Sequence, residues 1–413
     1  MKKIVVTTAL LAGILAQAGG FRVSLQGVKQ LAMAHTSAHA EDASVAFFNP
    51  AGISFIPEKF SIAAGGFGAR SEVEYQNPNT LYSAKTDSPL GTPIYLAVTY
   101  RPVEPLTLGF SFSTPFGSTI DWGTEWAGKE MVQKLELKGL YFQPMFSVKV
   151  TNWASVGASF IYATGIVDWD KAITQLNGSL NLLDDNASGS GYGLGIYLRP
   201  IDKLDISMAY RSKVDMEAKN GKATFKVSPA LYTGIGLAAN SGGVDGFKAT
   251  LPLVDEYTLG ATYKVTPKWS VSGDFNYSGW SKYDQLTLDF DHALVGNQPA
   301  DPTVSVVPKN FKDTKTYRIG TQYMVMPYLA ARLGYYYDES PYEDSSFIPE
   351  TPSFNSSVFT AGLGFKLGKM GVDLGGALAF PESRKVENAY YNFYGQAKAK
   401  AYYFGLGLSY NAF

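Results

Sequence analysis

Apolar and polar residues alternate with a period of two along most of this chain. The clearest run is residues 402–410, where Tyr402, Phe404, Leu406, Leu408 and Tyr410 share one side and Tyr403, Gly405, Gly407 and Ser409 the other. Successive side chains of a strand point to opposite faces, so one face here is greasy and the other small or polar. The pattern returns about fourteen times with no helical stretch between, starting near Phe60, Ile94, Leu106, Leu140, Ala154, Tyr192, Leu204, Tyr257, Trp269, Tyr317, Leu329, Phe359, Val372 and Tyr402. An even number of such strands predicts an all-β fold, a 14-stranded antiparallel transmembrane β-barrel with its apolar side toward lipid.

The connections alternate in length. Short turns are expected at 102–105, 151–154, 200–203, 266–268, 326–327 and 368–369, and long polar loops near 76–92, 115–135, 168–190, 215–250, 282–313, 338–356 and 383–398. Short turns belong on the periplasmic side and long loops outside, which puts both ends of the barrel at the periplasm. Alternation also assigns direction. Trp269, Val271, Phe275 and Tyr277 should face lipid, with Ser270, Ser272, Asp274 and Asn276 inward; Arg318, Gln322, Arg332 and Tyr336 should also face the lumen. A charge on the lipid face near the midplane costs about 2–4 kcal/mol, which favours the inward placement of both arginines.

The N-terminus supports export. Met1-Lys2-Lys3 precedes an apolar run over 4–15 and the small residues Ala16-Gln17-Ala18, so 1–18 reads as a signal peptide. The chain has no cysteine, which removes a disulfide framework and any thiolate metal site. A net charge of −1 points to no nucleic-acid partner. No stretch of eighteen apolar residues is present, which excludes a helical membrane protein, and 42 Gly with 27 Tyr suit small inward residues and aromatic girdles.

Residues 19–57, ahead of a barrel spanning 58–413, mix small residues with Leu31, Met33, Val45, Phe47 and Phe48. This predicts a small, partly helical plug, with Glu41 or Asp42 starting a short helix and Asn49-Pro50 ending it. Gly20-Phe21, Gln26-Gly27, Asp42-Ala43-Ser44 and Asn49-Pro50-Ala51-Gly52, followed by Thr114-Pro115-Phe116-Gly117 on the third strand, resemble the long-chain fatty-acid channels, the FadL/TodX-like outer-membrane transporters. The resemblance implies a monomeric barrel of the bacterial outer membrane, closed by an N-terminal hatch and inserted among outer-membrane lipid by the barrel-assembly machinery. It implies passive uptake of hydrophobic small molecules, long-chain fatty acids first, with lateral release at a kinked third strand. Asn49, Pro50 and Ala51 become the hatch residues, and Gly109, Pro115 and Gly117 the kink. Capture falls to external loops, where Leu231, Tyr232, Ile235 and Leu237 would offer an exposed apolar patch. The chain departs from the family at Ala32 and Ala34, where glycines are common, and at Asn411, which displaces the terminal aromatic to Tyr410. A general porin or a surface adhesin is the alternative on the same barrel.

Little else in the chain suggests chemistry. Arg318 and Arg332, expected at similar heights on adjacent strands, could brace the lumen with Asp274, or one could hold a carboxylate. His35 and His39 are four apart but lack a third ligand, and Asp284, Asp289 and Asp291 match no calcium-loop spacing. No catalytic residue, metal or cofactor is expected.

Overall fold

The computed structural model describes residues 20–23 and 25–412; the proposed signal peptide and Phe413 lie outside them. The barrel strands are β1 (Phe60–Asn77), β2 (Ile94–Val103), β3 (Leu106–Asp121), β4 (Lys134–Thr151), β5 (Ala154–Ile173), β6 (Gly178–Ile201) and β7 (Leu204–Arg211). They continue as β8 (Glu256–Thr266), β9 (Trp269–Ser278), β10 (Thr314–Met326), β11 (Leu329–Asp338), β12 (Ser356–Leu367), β13 (Met370–Pro381) and β14 (Phe393–Ala412). Each strand pairs antiparallel with the next. The ring closes where β1 meets β14, from Phe60↔Ala412 to Gln76↔Gln396. All fourteen strands and all six short turns are present as alternation predicts, but β4, β6 and β14 begin at Lys134, Gly178 and Phe393, well before their expected starts.

The band facing lipid is apolar by the same alternation. Phe160, Leu194, Ile319, Leu333, Phe404 and Leu406 are exposed on the outer wall, whereas Asp274, Asn276 and Arg332 are buried within. Above the membrane the pattern inverts. On β5 and β6, Trp169 pairs with Leu182 and Lys171 with Leu180, and the apolar members of these pairs point inward while Asp168, Asp170 and Asn181 face outward. Leu135 and Leu137 do the same on β4. The expected loop at 168–190 is therefore strand, apart from a tight turn at Thr174–Leu176 and Asn177. Likewise 215–250 forms a hairpin of Val214–Lys226 with Val244–Leu253, and 282–313 one of Gln285–Phe290 with Val304–Pro308. Extended sheet survives outside the membrane because its greasy side turns from lipid to a shared core under the loops.

A second core lies lower, where residues 25–56 fill the lumen with almost every side chain buried. The segment holds one helical turn, Val28–Leu31, and two 3-10 turns, Ala43–Phe47 and Pro50–Phe55. Asp42 caps the first 3-10 turn by accepting from Ser44 N (3.0 Å). Asn49 does not end the structure as expected. It caps the second turn by accepting from Ala51 N (2.8 Å), and Pro50 takes the first position, where its missing N–H costs nothing.

The Asn49 side chain also reaches the wall. Its Nδ2 donates to Ile196 O (2.9 Å), Ser207 Oγ (2.9 Å) and Met208 O (3.1 Å), tying β6 to β7. Ala51 O accepts from Ser147 Oγ on β4 (3.0 Å) and Ser155 Oγ on β5 (2.8 Å). This approach requires glycine on the wall: a Cβ at Gly195 would overlap Asn49 Oδ1, and one at Gly157 would strike the Ala51 backbone. On the opposite side Ala34 N donates to Thr360 Oγ1 (3.1 Å) and Ser37 N to Asp274 Oδ2 (2.8 Å). Ala34 holds φ 58°, a left-handed conformation that favours glycine.

Asn49→Ala should leave two strand carbonyls without their side-chain donor and weaken the seat by about 1–3 kcal/mol. Gly195→Val should block it outright. Both barrels are expected to stay closed by heat-modifiable gel migration, while limited proteolysis of the folded protein gains cuts within residues 25–56. An unchanged digest in both variants would show that the seat does not depend on this contact.

Candidate functional site

The barrel wall has one break. β2 and β3 pair from Val103↔Leu106 up to Leu96↔Phe112 and then part, because β2 begins at Ile94 while β3 runs on to Asp121. At the same height β3 bulges against β4: the two residues between Ser113 and Phe116 oppose the one between Tyr141 and Gly139. Pro115 lies in this bulge and has no amide hydrogen for the ladder, which agrees with its position at an interrupted edge. Gly117 lies just beyond. Gly109 does not belong to the break, since it is paired to Thr99 and Met145; its missing Cβ instead makes room for Ile53 of the lumenal segment.

The strip formed by residues 20–23 patches the open edge. Val23 N donates to Pro115 O (2.7 Å) and Gly117 N to Phe21 O (2.9 Å), so Arg22 and Phe116 form an antiparallel bridge. Gly20 (φ 70°) lies flat on the Trp280 ring, and Phe21 meets the same ring edge-on at 4.8 Å. Arg22 anchors the strip across the lumen. Its guanidinium donates to Glu256 (2.6 Å) and Asn276 (2.8 Å) and reaches Asp338 at 3.5 Å. Arg211 also bonds Glu256 (3.0 Å) and Phe47 O (2.8 Å), which joins the strip to the plug below.

Two apolar cavities meet at this strip. The outer one, about 110 Å³, lies under the loops between Leu137, Trp169, Met216, Leu286 and Ile348, with Phe21 in its lining. The lateral one, about 410 Å³, runs from Ile94 and Phe112 on the wall to Tyr336 and Tyr403 in the lumen, with Arg22 and Val23 in its lining. Phe116, Leu137 and Lys138 border both. The strip thus forms a thin partition between the outer apolar cavity and a gap in the wall.

The predicted capture residues lie elsewhere. Tyr232, Ile235 and Leu237 are buried in the core beneath the loops, and only Leu231 is exposed. The segment folds into two 3-10 turns, Pro229–Leu231 and Thr233–Ile235, which turn its apolar side chains inward and leave no greasy surface patch. The residues that line the outer cavity sit on β4, β5 and the loop hairpins. Their signal in the sequence was apolar residues alternating with charges just above the membrane, as in Leu135-Glu136-Leu137.

Arg318 and Arg332 both point inward but not at one height. β10–β11 pairing sets Arg318 opposite Tyr336 and Arg332 opposite Gln322, four residues lower, which is about 13 Å along a strand. Arg332 is committed, to Asp373 (2.5 Å) and Gln322 (2.6 Å). Arg318 donates to His35 O (3.1 Å) and lies 5.6 Å over the Tyr336 ring, and among the described residues no carboxylate forms an ion pair with it. It borders a polar cavity of about 60 Å³ with Arg22, His35 and Asp274. Burial, reinforced by Arg318 and Arg22, holds the His35 imidazole neutral, well below its ordinary range, and neither ring nitrogen has a partner. Burial likewise lowers His39 to about 4; its Nε2 is engaged by Thr36 (2.8 Å) and Ser272 (3.1 Å). Asp291 is 3.9 Å from Lys248, and no group of three His, Asp or Glu side chains at metal-binding spacing occurs among the described residues.

Because Asp373 would be left as an unpaired buried charge, Arg332→Ala should destabilise the barrel by about 3–5 kcal/mol, with Arg318→Ala costing clearly less; thermal unfolding in detergent compares the two.

Comparison with known proteins agrees with this geometry. Residues 9–412 match the family described as "Outer membrane protein transport protein (OMPP1/FadL/TodX)". The chain is 25% identical to the long-chain fatty acid transport protein of Escherichia coli (strain K12) over 249 residues, 59% of this chain and 51% of that protein, so the match spans about half its length. It is 24% identical to outer membrane protein P1 of Haemophilus influenzae over 378 residues, covering 86% and 73% of the two chains. Its fold is similar to a crystal structure of a Pseudomonas aeruginosa FadL homologue (TM-score 0.82, 17% identity, 95% of this chain and 100% of that one). The Pseudomonas putida toluene transporter TodX is also similar (TM-score 0.68, 16% identity, 96% and 98%). A plugged fourteen-stranded barrel matched along nearly its whole sequence leaves one conclusion: the chain belongs to the OMPP1/FadL/TodX family of outer membrane transport proteins.

Proposed function

We propose that the protein is an outer-membrane channel for passive uptake of hydrophobic small molecules, with long-chain fatty acids as the leading substrate. One observation carries this reading: an apolar cavity beneath the external loops is separated from a break in the barrel wall by a single strip of residues. A ligand that leaves water for the chamber gains about 25 cal/mol per Å² of apolar surface covered, and a lateral exit delivers it to lipid without re-exposure. The lumen filled by residues 25–56 favours a plugged channel over a general porin. In this reading the protein acts as a monomer, inserted by the barrel-assembly machinery.

Size favours movement of the strip. A cavity of about 150 Å³ holds benzene, so a chamber of about 110 Å³ takes a small aromatic ring or one end of a longer molecule only if its lining yields. A long acyl chain needs the outer and lateral cavities joined, which requires Phe21 and Arg22 to move. That volume also supports a second reading, in which monoaromatic compounds are the substrate. Asn49, Pro50 and Ala51 then serve as the fixed seat of the hatch rather than its moving part, and Arg318 is the cation left for a carboxylate within the lumen.

Two outcomes are expected. In the Arg22→Cys/Phe116→Cys double variant, which carries the chain's only cysteines, oxidation should abolish uptake of a labelled long-chain fatty acid by cells lacking their own channel, and reduction should restore it. Full uptake with the bond formed would remove the strip from the route. Arg318→Ala should raise the concentration giving half-maximal fatty-acid uptake about fivefold or more, as loss of a charge-assisted pair implies, and leave toluene uptake unchanged.

A further inference from the structure

The outer cavity is apolar on nearly every side, yet one part of its lining is an ion pair. Lys309, which follows the strand Val304–Pro308, and Glu350, in the loop between β11 and β12, meet at 3.3 Å (Nζ to Oε1) with side chains only 2% and 4% exposed. Both line the cavity. Among the described residues, Glu350 Oε2 is buried without a hydrogen-bond partner, and Lys309 Nζ has this one side-chain acceptor for three hydrogens. Neighbouring contacts fix the two groups in place. Lys309 N donates to Asp284 O (2.7 Å), Trp122 Nε1 donates to Pro349 O (3.0 Å), and the Tyr342 hydroxyl donates to Thr351 O (2.8 Å).

We infer that this ion pair is the head-group end of the outer cavity and that it receives an uncharged hydrogen-bonding group, a hydroxyl or a protonated carboxyl, on an apolar body. The inference rests on the transport reading above and names the form in which the ligand is held. A lysine alone would favour a carboxylate. Here Glu350 neutralises that charge, and a second anion beside it would face like-charge repulsion in a dry setting. A hydroxyl uses what remains on both sides: it donates to Glu350 Oε2 and accepts from Lys309 Nζ. Lys171, the other cation near the pair, lies 5.5 Å over the Trp169 ring; a fatty acid therefore occupies the chamber protonated and meets Arg318 deeper in the lumen.

The test compares binding of dodecanol and dodecanoate to the purified full-length barrel at neutral pH. Wild type should bind the alcohol more tightly. Glu350→Gln keeps the side-chain shape and leaves Lys309 uncompensated, and should shift the ratio of the two affinities toward the carboxylate by about tenfold or more. Arg318 is common to both proteins and cancels in that ratio. In the Lys309→Met/Glu350→Leu variant, where apolar residues replace the pair at little cost to folding, the alcohol should bind no better than dodecane. An unshifted ratio in Glu350→Gln, or an alcohol preference that survives the double variant, would mean that the pair only braces the loops and would overturn the inference while leaving the transport reading intact. Wild type that binds neither probe would overturn both.

Discussion

A backbone amide inside a bilayer has no water to bond, and this constraint shapes the whole molecule. It is why the fourteen strands close on themselves and why β1 and β14 stay in register over their full shared length. It also explains the single exception. Where β2 stops short of β3, the exposed edge of β3 is not left bare, because the backbone of residues 21–23 supplies the missing partners at Pro115 and Gly117. The bonds that complete the wall are therefore the same bonds that hold the partition between the two apolar cavities. In the proposed route, moving the partition would also unpair this edge of β3.

The two halves of the barrel use one alternation in opposite senses. Within the membrane, strands place Phe, Leu and Ile outward and Gly, Ser and Asn inward, so the lumen is lined by small polar groups. That lining suits a plug held by hydrogen bonds, and residues 25–56 bond to Ser147, Ser155, Ser207, Thr360 and Asp274. Beyond the membrane the strands continue but face water, and their apolar residues turn inward to build a greasy chamber. The change of solvent along each strand puts a hydrophobic chamber directly above the plug.

Charges inside the barrel divide into those that fix position and those left available. Arg22, Lys29 and Arg332 each meet a carboxylate, and breaking such a pair leaves a costly unpaired charge. These pairs tie segments far apart in sequence, as Arg22 does with Glu256 and Asp338, so they specify one arrangement of the plug more than they add stability. Arg318 and the free oxygen of Glu350 are different, since each retains polar capacity that the described residues do not satisfy. Both border cavities.

The sequence by itself determined the strand count, the six short turns, the direction of the wall residues assigned on β9, β10, β11 and β14, and a compact segment ahead of the barrel. These follow from a period of two and from the cost of polar groups in lipid, both of which are local. It misjudged strand ends at Lys134, Gly178 and Phe393, because a pattern read for lipid loses its meaning where the solvent becomes water. It also expected an exposed patch at Leu231, Tyr232, Ile235 and Leu237, of which the last three are buried, since apolar content in a loop does not say whether the loop folds over it. Only the tertiary structure decided that Arg318 and Arg332 stand at different heights, that Gly109 makes room for Ile53 rather than bending β3, and that Phe21 and Arg22 separate two cavities. Each of those facts depends on strand register or on contact between residues hundreds of positions apart, which no local pattern encodes.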